Sequence, residues 1–185
     1  MRRLVSLMSM TLVLWSGGSW GFGAFAVHPD PAPWAPPAVG REAPPLVLST
    51  LGGGNWSLAA ARGHAIWLIF LTSWCTWCGA QARWVADAAS RVPKPLTIVL
   101  IDEGESRRRA EYGLQTAKAW SAPFPVLLDR QRVAARGYGV QAYPTSYFIS
   151  ADGRIRGVYL GPILSWRQLG PYLHRAGWSI GHPSN

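Results

Sequence analysis

From residue 46 onward, apolar and polar positions divide the chain into alternating strand-like and helix-like segments. Ala65-Ile66-Trp67-Leu68-Ile69-Phe70-Leu71 is an unbroken apolar run rich in β-branched and aromatic residues, the pattern of a buried strand. Residues 80–91 read as a helix: Cys78, Ala82, Val85, Ala89 and Val92 recur at spacings of four and three, and Pro93 and Pro95 stop it. Residues 96–101 (Leu-Thr-Ile-Val-Leu-Ile) form a second buried strand that Asp102-Glu103-Gly104 is expected to end. A helix follows over 107–120, weakened by Gly113. Val126-Leu127-Leu128 is a short apolar run, and 131–136 a short helical one before Gly137. Residues 145–150 and 155–160 flank Ala151-Asp152-Gly153-Arg154, which marks a hairpin. Trp166, Leu169, Tyr172, Leu173 and Ala176 mark a last amphipathic helix. Near the start, Leu46-Val47-Leu48 and Trp56-Ser57-Leu58 flank Gly52-Gly53-Gly54-Asn55 and suggest a small N-terminal hairpin. Strands that alternate with helices, then an antiparallel hairpin and a helix, predict an α/β fold with a mixed central β-sheet and helices on both faces.

Composition sets this fold in one domain with extensions. The chain has 185 residues, 49% hydrophobic and only 15% charged, which excludes a disordered polypeptide. Lys and Arg outnumber Asp and Glu by 18 to 9. The arginines are dispersed, however, and the one cluster, Arg107-Arg108-Arg109, stands among Glu103, Glu105 and Glu111. That run reads as a solvated helix face, so nucleic acid is not an expected partner.

The N-terminus changes the picture more. Arg2 and Arg3 precede an apolar stretch from Leu4 to Trp15, then Gly and Ser, then Ala24-Phe25-Ala26, a small-x-small cleavage pattern. Residues 1–26 therefore read as a signal peptide or an uncleaved membrane anchor, and either would export the remainder. Residues 27–39 read as a proline-rich linker, 40–178 as the folded domain and 179–185 as a tail. The expected location is periplasmic or otherwise extracytoplasmic, where a disulfide persists.

The chain's two cysteines sit in that domain as Cys75-Thr76-Trp77-Cys78, where the first strand passes into a helix. A helix N-terminus favours thiolate over thiol, and two intervening residues let one sulfur attack a mixed disulfide made by the other. A zinc site would need more ligands than one cysteine pair, and His28, His64, His174 and His182 show no ligand spacing. A purely structural disulfide would close a very short loop and stabilise little. No metal is expected, and no cofactor beyond the redox-active pair itself.

Four stations occur in one order: Trp74-Cys75-Thr76-Trp77-Cys78, Phe124-Pro125-Val126-Leu127-Leu128-Asp129, Tyr138-Gly139-Val140-Gln141-Ala142-Tyr143-Pro144-Thr145, and Phe148-Ile149-Ser150-Ala151-Asp152-Gly153. With Gly40-Arg41-Glu42-Ala43-Pro44 and the glycine-rich hairpin, they resemble the thioredoxin superfamily, and within it the exported TlpA/ResA-type branch, over about residues 40–176. The resemblance implies a thioredoxin fold with an N-terminal β-hairpin extension. It also implies a cis bond before Pro144, which the residues alone would equally allow as an ordinary strand-start proline. It places Pro144 beside the dithiol and the backbone around Tyr143 against an extended substrate segment. Cys75 is then the attacking sulfur and Cys78 the resolving one, with Trp74 and Trp77 at the rim. The implied activity is thiol–disulfide exchange. The implied partners are exported proteins with thiols or disulfides, apocytochrome c for instance, and a membrane dithiol donor. Rival readings are an oxidase or isomerase on the same scaffold, and a non-catalytic adaptor for binding or metal delivery. A peroxidase lacks its Pro-x-x-x-Thr-x-x-Cys arrangement.

Two departures from the family pattern matter for mechanism. Ile69 stands where a buried Asp is usual, and Gln81 where the branch often has Glu. Either acid would accept the proton of the second thiol, and glutamine cannot. Gly79 and Arg83 likewise replace a basic residue and a helix-kinking proline.

Overall fold

The structure is a computed structural model that describes residues 36–89, 91, 95–116 and 124–178. The signal peptide or anchor expected over 1–26, residues 27–35 of the expected linker and the expected 179–185 tail lie outside the described residues, as do Val92, Pro93 and the expected end of the 107–120 helix.

The elements in chain order are β1 (Val47–Ser49), β2 (Asn55–Ser57), β3 (Ala65–Leu71), α1 (Thr76–Ala89), β4 (Leu96–Glu103), α2 (Arg107–Thr116), β5 (Val126–Asp129), α3 (Val133–Gly137), β6 (Thr145–Ile149), β7 (Ile155–Leu160) and α4 (Trp166–Arg175). Five strands form one sheet in the order β5-β4-β3-β6-β7. β3, β4 and β5 run parallel, while β6 and β7 join antiparallel as the Ala151–Arg154 pattern predicts. Gly153 supplies the turn, with φ at +83°, a conformation glycine adopts without steric cost.

β3 is central and buried along its whole length because both of its faces are covered. Ala65, Trp67, Ile69 and Leu71 point to one side, into a core with α1, α2 and α4. Ile66, Leu68 and Phe70 point to the other, packing with α3, Ala43, Leu46 and Leu58. Burying each large side chain contributes about 1.5–3 kcal/mol, so this one strand anchors both layers. On the first face Trp67 stacks on Phe148 at 5.7 Å, and Phe148 stacks on Tyr172 of α4 at 4.8 Å. On the second, Phe70, Tyr138 and Tyr147 cluster, and the Tyr138 hydroxyl donates to the Pro44 carbonyl at 2.9 Å.

The N-terminal hairpin is a separate two-stranded ribbon. It docks through the Leu51 N–H, which donates to the Val126 carbonyl at 2.7 Å and so covers part of the β5 edge.

Two boundaries and one helix face differ from the sequence pattern. α1 begins at Thr76, so both cysteines belong to its N-terminal turn. Its buried face is Cys78, Gln81, Ala82, Val85 and Ala88, rotated to include Gln81 and to leave Ala89 partly exposed. β4 runs two residues past its expected end, because parallel pairing continues from Asp102 to Leu71 and from Glu103 to Asp129. Asp102 and Glu103 are thus buried strand residues rather than a polar stop, at 2% and 3% exposure. Among the described residues no helix is long and apolar enough to cross a membrane.

Candidate active site

The site lies where β3 ends and α1 begins. The carbonyl of Cys75 accepts from the N–H groups of Cys78 and Gly79 at 3.0 and 3.2 Å, which makes Cys75 the residue on which the helix starts. The Cys78 N–H also lies 3.2 Å from Cys75 Sγ, so a helix-end donor faces that sulfur. This is the arrangement that stabilises a thiolate at Cys75. The two residues are joined as a disulfide with their Cα atoms 5.2 Å apart. They differ sharply in access: Cys75 is half-buried, whereas Cys78 is 1% exposed.

The family resemblance implies that Trp74, Trp77, Tyr143 and Pro144 surround this pair. The Tyr143–Pro144 peptide is cis. The Tyr143 carbonyl oxygen lies 3.6 Å from Cys75 Sγ, and Pro144 is buried behind it. Trp74 is 67% exposed and meets the Tyr143 ring edge-on at 5.8 Å, while Trp77 is 58% exposed on the first turn of α1. Both indole rings are thus left in water beside a half-open sulfur.

The two departures from the family pattern are both structural. Ile69 is fully buried in β3 between Leu100 and Ser146. Gln81 is fully buried too, its Oε1 accepting from the Ile163 N–H at 3.0 Å and its Nε2 donating to Ser146 Oγ at 3.4 Å. It ties α1 to β6 and to the loop before α4. Arg83 is exposed and α1 passes through it unbroken.

A group of acids that the sequence pattern does not single out lies on the other flank of the cysteines. Glu105, which reads in sequence as part of a solvated face, is 6% exposed and accepts from the Ser73 N–H and Ser73 Oγ, both at 2.7 Å. It thereby holds the loop leading to Cys75. Glu103 accepts from the Tyr143 hydroxyl at 2.8 Å and pairs with Arg132 Nε at 3.5 Å. Arg132 also donates to the Tyr143 hydroxyl at 3.1 Å. Burial pushes Glu103 up to about 7 and Asp129 adds to this, against hydrogen bonding from Tyr143 and attraction from Arg132. Tyr143 is itself pushed up to about 12 by burial and by its bond to Glu103. Asp102 rises to about 8, first from burial, then from the hydrogen bond and charge of Glu105, with a smaller push from Glu103. The one signal in the sequence is the run of acids at 102, 103 and 105 directly after a buried strand. Among the described residues no group of three or more His, Cys, Asp or Glu is placed to hold a metal ion.

The AhpC/TSA family matches residues 39–158 of the chain. A thiol–disulfide oxidoreductase ResA from Geobacillus thermodenitrificans is 30% identical over 125 residues, covering 67% of this chain and 70% of that protein. The thioredoxin-like protein YneN of Bacillus subtilis is 27% identical over 122 residues, covering 66% and 71%. Among solved structures, a thiol:disulfide interchange protein of the thioredoxin family from Chlorobium tepidum superposes with a TM-score of 0.58 at 25% identity, covering 77% of this chain and 99% of that one. A secreted disulfide oxidoreductase of Mycobacterium tuberculosis superposes with a TM-score of 0.60 at 24% identity, covering 70% and 94%. Joined with a helix-capped cysteine pair beside a cis-proline, these matches place the chain in the AhpC/TSA thioredoxin-like family, as a thiol–disulfide oxidoreductase of the ResA type.

Proposed function

We propose that the enzyme works outside the cytoplasm as a reductase of disulfides in exported proteins, apocytochrome c among them, and is recharged by a membrane dithiol donor. The observation that carries this reading is the asymmetry of the pair: Cys75 is half-open beside the Tyr143 carbonyl, and Cys78 is closed off at 1% exposure. A substrate disulfide reaches Cys75 alone. Cys75 thiolate attacks it and forms a mixed disulfide. Cys78 then attacks the Cys75 sulfur and expels the substrate's second thiolate. Trp74 and Trp77 would grip the substrate's apolar side chains, and the cis Tyr143–Pro144 edge would align its backbone. Export is supported by the Arg2-Arg3 start, the apolar 4–15 stretch and Ala24-Phe25-Ala26. Residues 1–26 would act as a signal peptide or anchor, and 27–39 as the linker to the 40–178 domain.

Trapping tests it. Cys78→Ala should accumulate mixed disulfides with exported proteins, and Cys75→Ser should accumulate none. A reduction potential within about −270 to −200 mV supports reduction, whereas a value near about −120 mV makes the enzyme an oxidase.

A further inference from the structure

Cys78 is the sulfur that must lose a proton before the mixed disulfide can be resolved, and neither Ile69 nor Gln81 can take it. Cys78 lines a cavity of about 20 Å³ whose other walls include Leu71, Thr72, Asp102, Ala110 and Leu114. That volume admits one water molecule. Two of its walls carry buried side-chain oxygens without a hydrogen-bond partner among the described residues, Asp102 Oδ1 and Thr72 Oγ1. A buried carboxyl oxygen left unpaired is costly, and a water needs two or more polar partners to sit in such a space. Asp102 Oδ1, Thr72 Oγ1 and Cys78 supply them.

We propose that Asp102 is the proton acceptor for the Cys78 thiol, acting across the water-sized cavity that the two residues share. Asp102 reaches this position from β4, opposite Leu71 in the parallel register with β3, a different element from either family position for an acid. Its affinity for a proton, raised to about 8 by burial and by Glu105, is far above that of an ordinary carboxyl, which suits it to take a proton from a thiol. The charged groups acting on it are Glu105 from the β4–α2 loop and Glu103 from its own strand, and α2 presents only Ala110, Gly113 and Leu114 to the cavity.

In the resolving step the Cys78 thiol gives its proton through the cavity water to the Asp102 carboxylate. The Cys78 thiolate attacks Cys75 Sγ, the Cys75–Cys78 bond forms, and the bond between Cys75 and the substrate sulfur breaks. The substrate leaves as a thiolate that solvent protonates, having gained the electron pair that the enzyme dithiol loses. In the reverse direction Asp102 returns the proton to Cys78. The inference therefore rests on the dithiol exchange itself and not on its proposed direction.

Single-turnover reaction of the reduced protein with dithiobis(nitrobenzoate) separates the steps. The first nitrothiobenzoate released reports attack by Cys75, and the second reports closure by Cys78. In the wild type the second release should rise with pH through about 8. Asp102→Asn should slow that release about 100-fold above pH 8, where the wild-type carboxyl is ionised, and move its rise to higher pH, while the first release changes less than about twofold. An unchanged second release with an unchanged pH profile overturns the proposal. Absence of the first release in the wild type would instead overturn the dithiol chemistry. A carboxyl titration that needs no variant at Asp102 decides the same question if Asp102→Asn fails to fold. The Asp102 midpoint should differ between the reduced wild type and Cys78→Ala, and an identical midpoint in both overturns the proposal.

Discussion

Gly113 of α2 lies directly against Ser73, the residue two before Cys75: a Cβ added at Gly113 would sit 2.5 Å from the Ser73 Cβ and 3.1 Å from its Cα. The sequence presents Gly113 as a weak point in a helix, and the structure makes it the place where α2 approaches the active-site loop. Gly113→Ala would ordinarily strengthen a helix by about 0.5–1 kcal/mol. Here it must push α2 away from Ser73 and disturb the two hydrogen bonds from Ser73 to Glu105. The expected outcome is a net loss of about 1–3 kcal/mol in a denaturant titration, with a slower first release in the single-turnover assay. A gain in stability would show that the loop yields freely.

Gln81 is held at both ends, by the Ile163 N–H and by Ser146 Oγ. Gln81→Glu introduces the acid that the family resemblance implies for this position but places it in a fully buried site built for an amide. Burial without a cation raises the folded-state pKa of the new carboxyl above its unfolded value. Its proton is then retained on folding, so stability is highest at low pH and falls as pH rises through the folded pKa. Urea titrations should show Gln81→Glu about 3 kcal/mol below wild type at pH 8 and nearer to it at pH 4. A constant difference between the two pH values would contradict this account.

These residues also show what a linear pattern can carry. β3 is legible because a strand covered on both faces needs an unbroken apolar run, and the β6–β7 hairpin because Asp152-Gly153 supplies turn geometry locally. The cysteine pair is legible because its chemistry depends on three adjacent features: strand, helix start and spacing. Asp102, Glu103 and Glu105 are not. Their burial comes from residues distant in sequence: Leu71 and Asp129 pair with the strand end, Tyr143 and Arg132 cover Glu103, and Ser73 binds Glu105. An acid after an apolar run looks like a strand stop unless the sheet neighbours are known. Ala89 falls on the apolar stripe of α1 yet stays partly exposed for a related reason, since four-residue spacing alone does not fix how far a helix is rotated against its sheet.

Tyr143→Phe isolates one arm of the acid network. The hydroxyl donates to Glu103 Oε2 and accepts from Arg132, so its removal leaves a buried carboxyl with fewer donors. A loss of about 1–2 kcal/mol is expected near neutral pH. Because the Tyr143 bond lowers the Glu103 pKa, its loss should move that pKa above about 7. Carboxyl chemical shifts followed against pH would read the change directly, and an unmoved or lowered Glu103 midpoint would count against the network.

The same acids give the whole protein an unusual pH dependence. Asp102 and Glu103 are raised from 3.8 and 4.5 to about 8 and about 7 in the folded state. Between those limits the folded protein holds more protons than the unfolded chain, so the unfolding free energy falls as pH rises. Their contribution is complete below about pH 4, declines through the neutral range and is exhausted above about pH 8. Each pKa unit corresponds to about 1.4 kcal/mol, so the pair accounts for several kcal/mol. Paired carboxylates, whose pKa values are lowered on folding, give the opposite trend. Denaturant titrations of the oxidised protein should therefore show greater stability at pH 5 than at pH 8, and Asp102→Asn should flatten the slope because an amide does not titrate. A wild-type protein more stable at pH 8 than at pH 5 would mean that these two carboxyls are ionised throughout, and Asp102 would then hold no proton to return to Cys78.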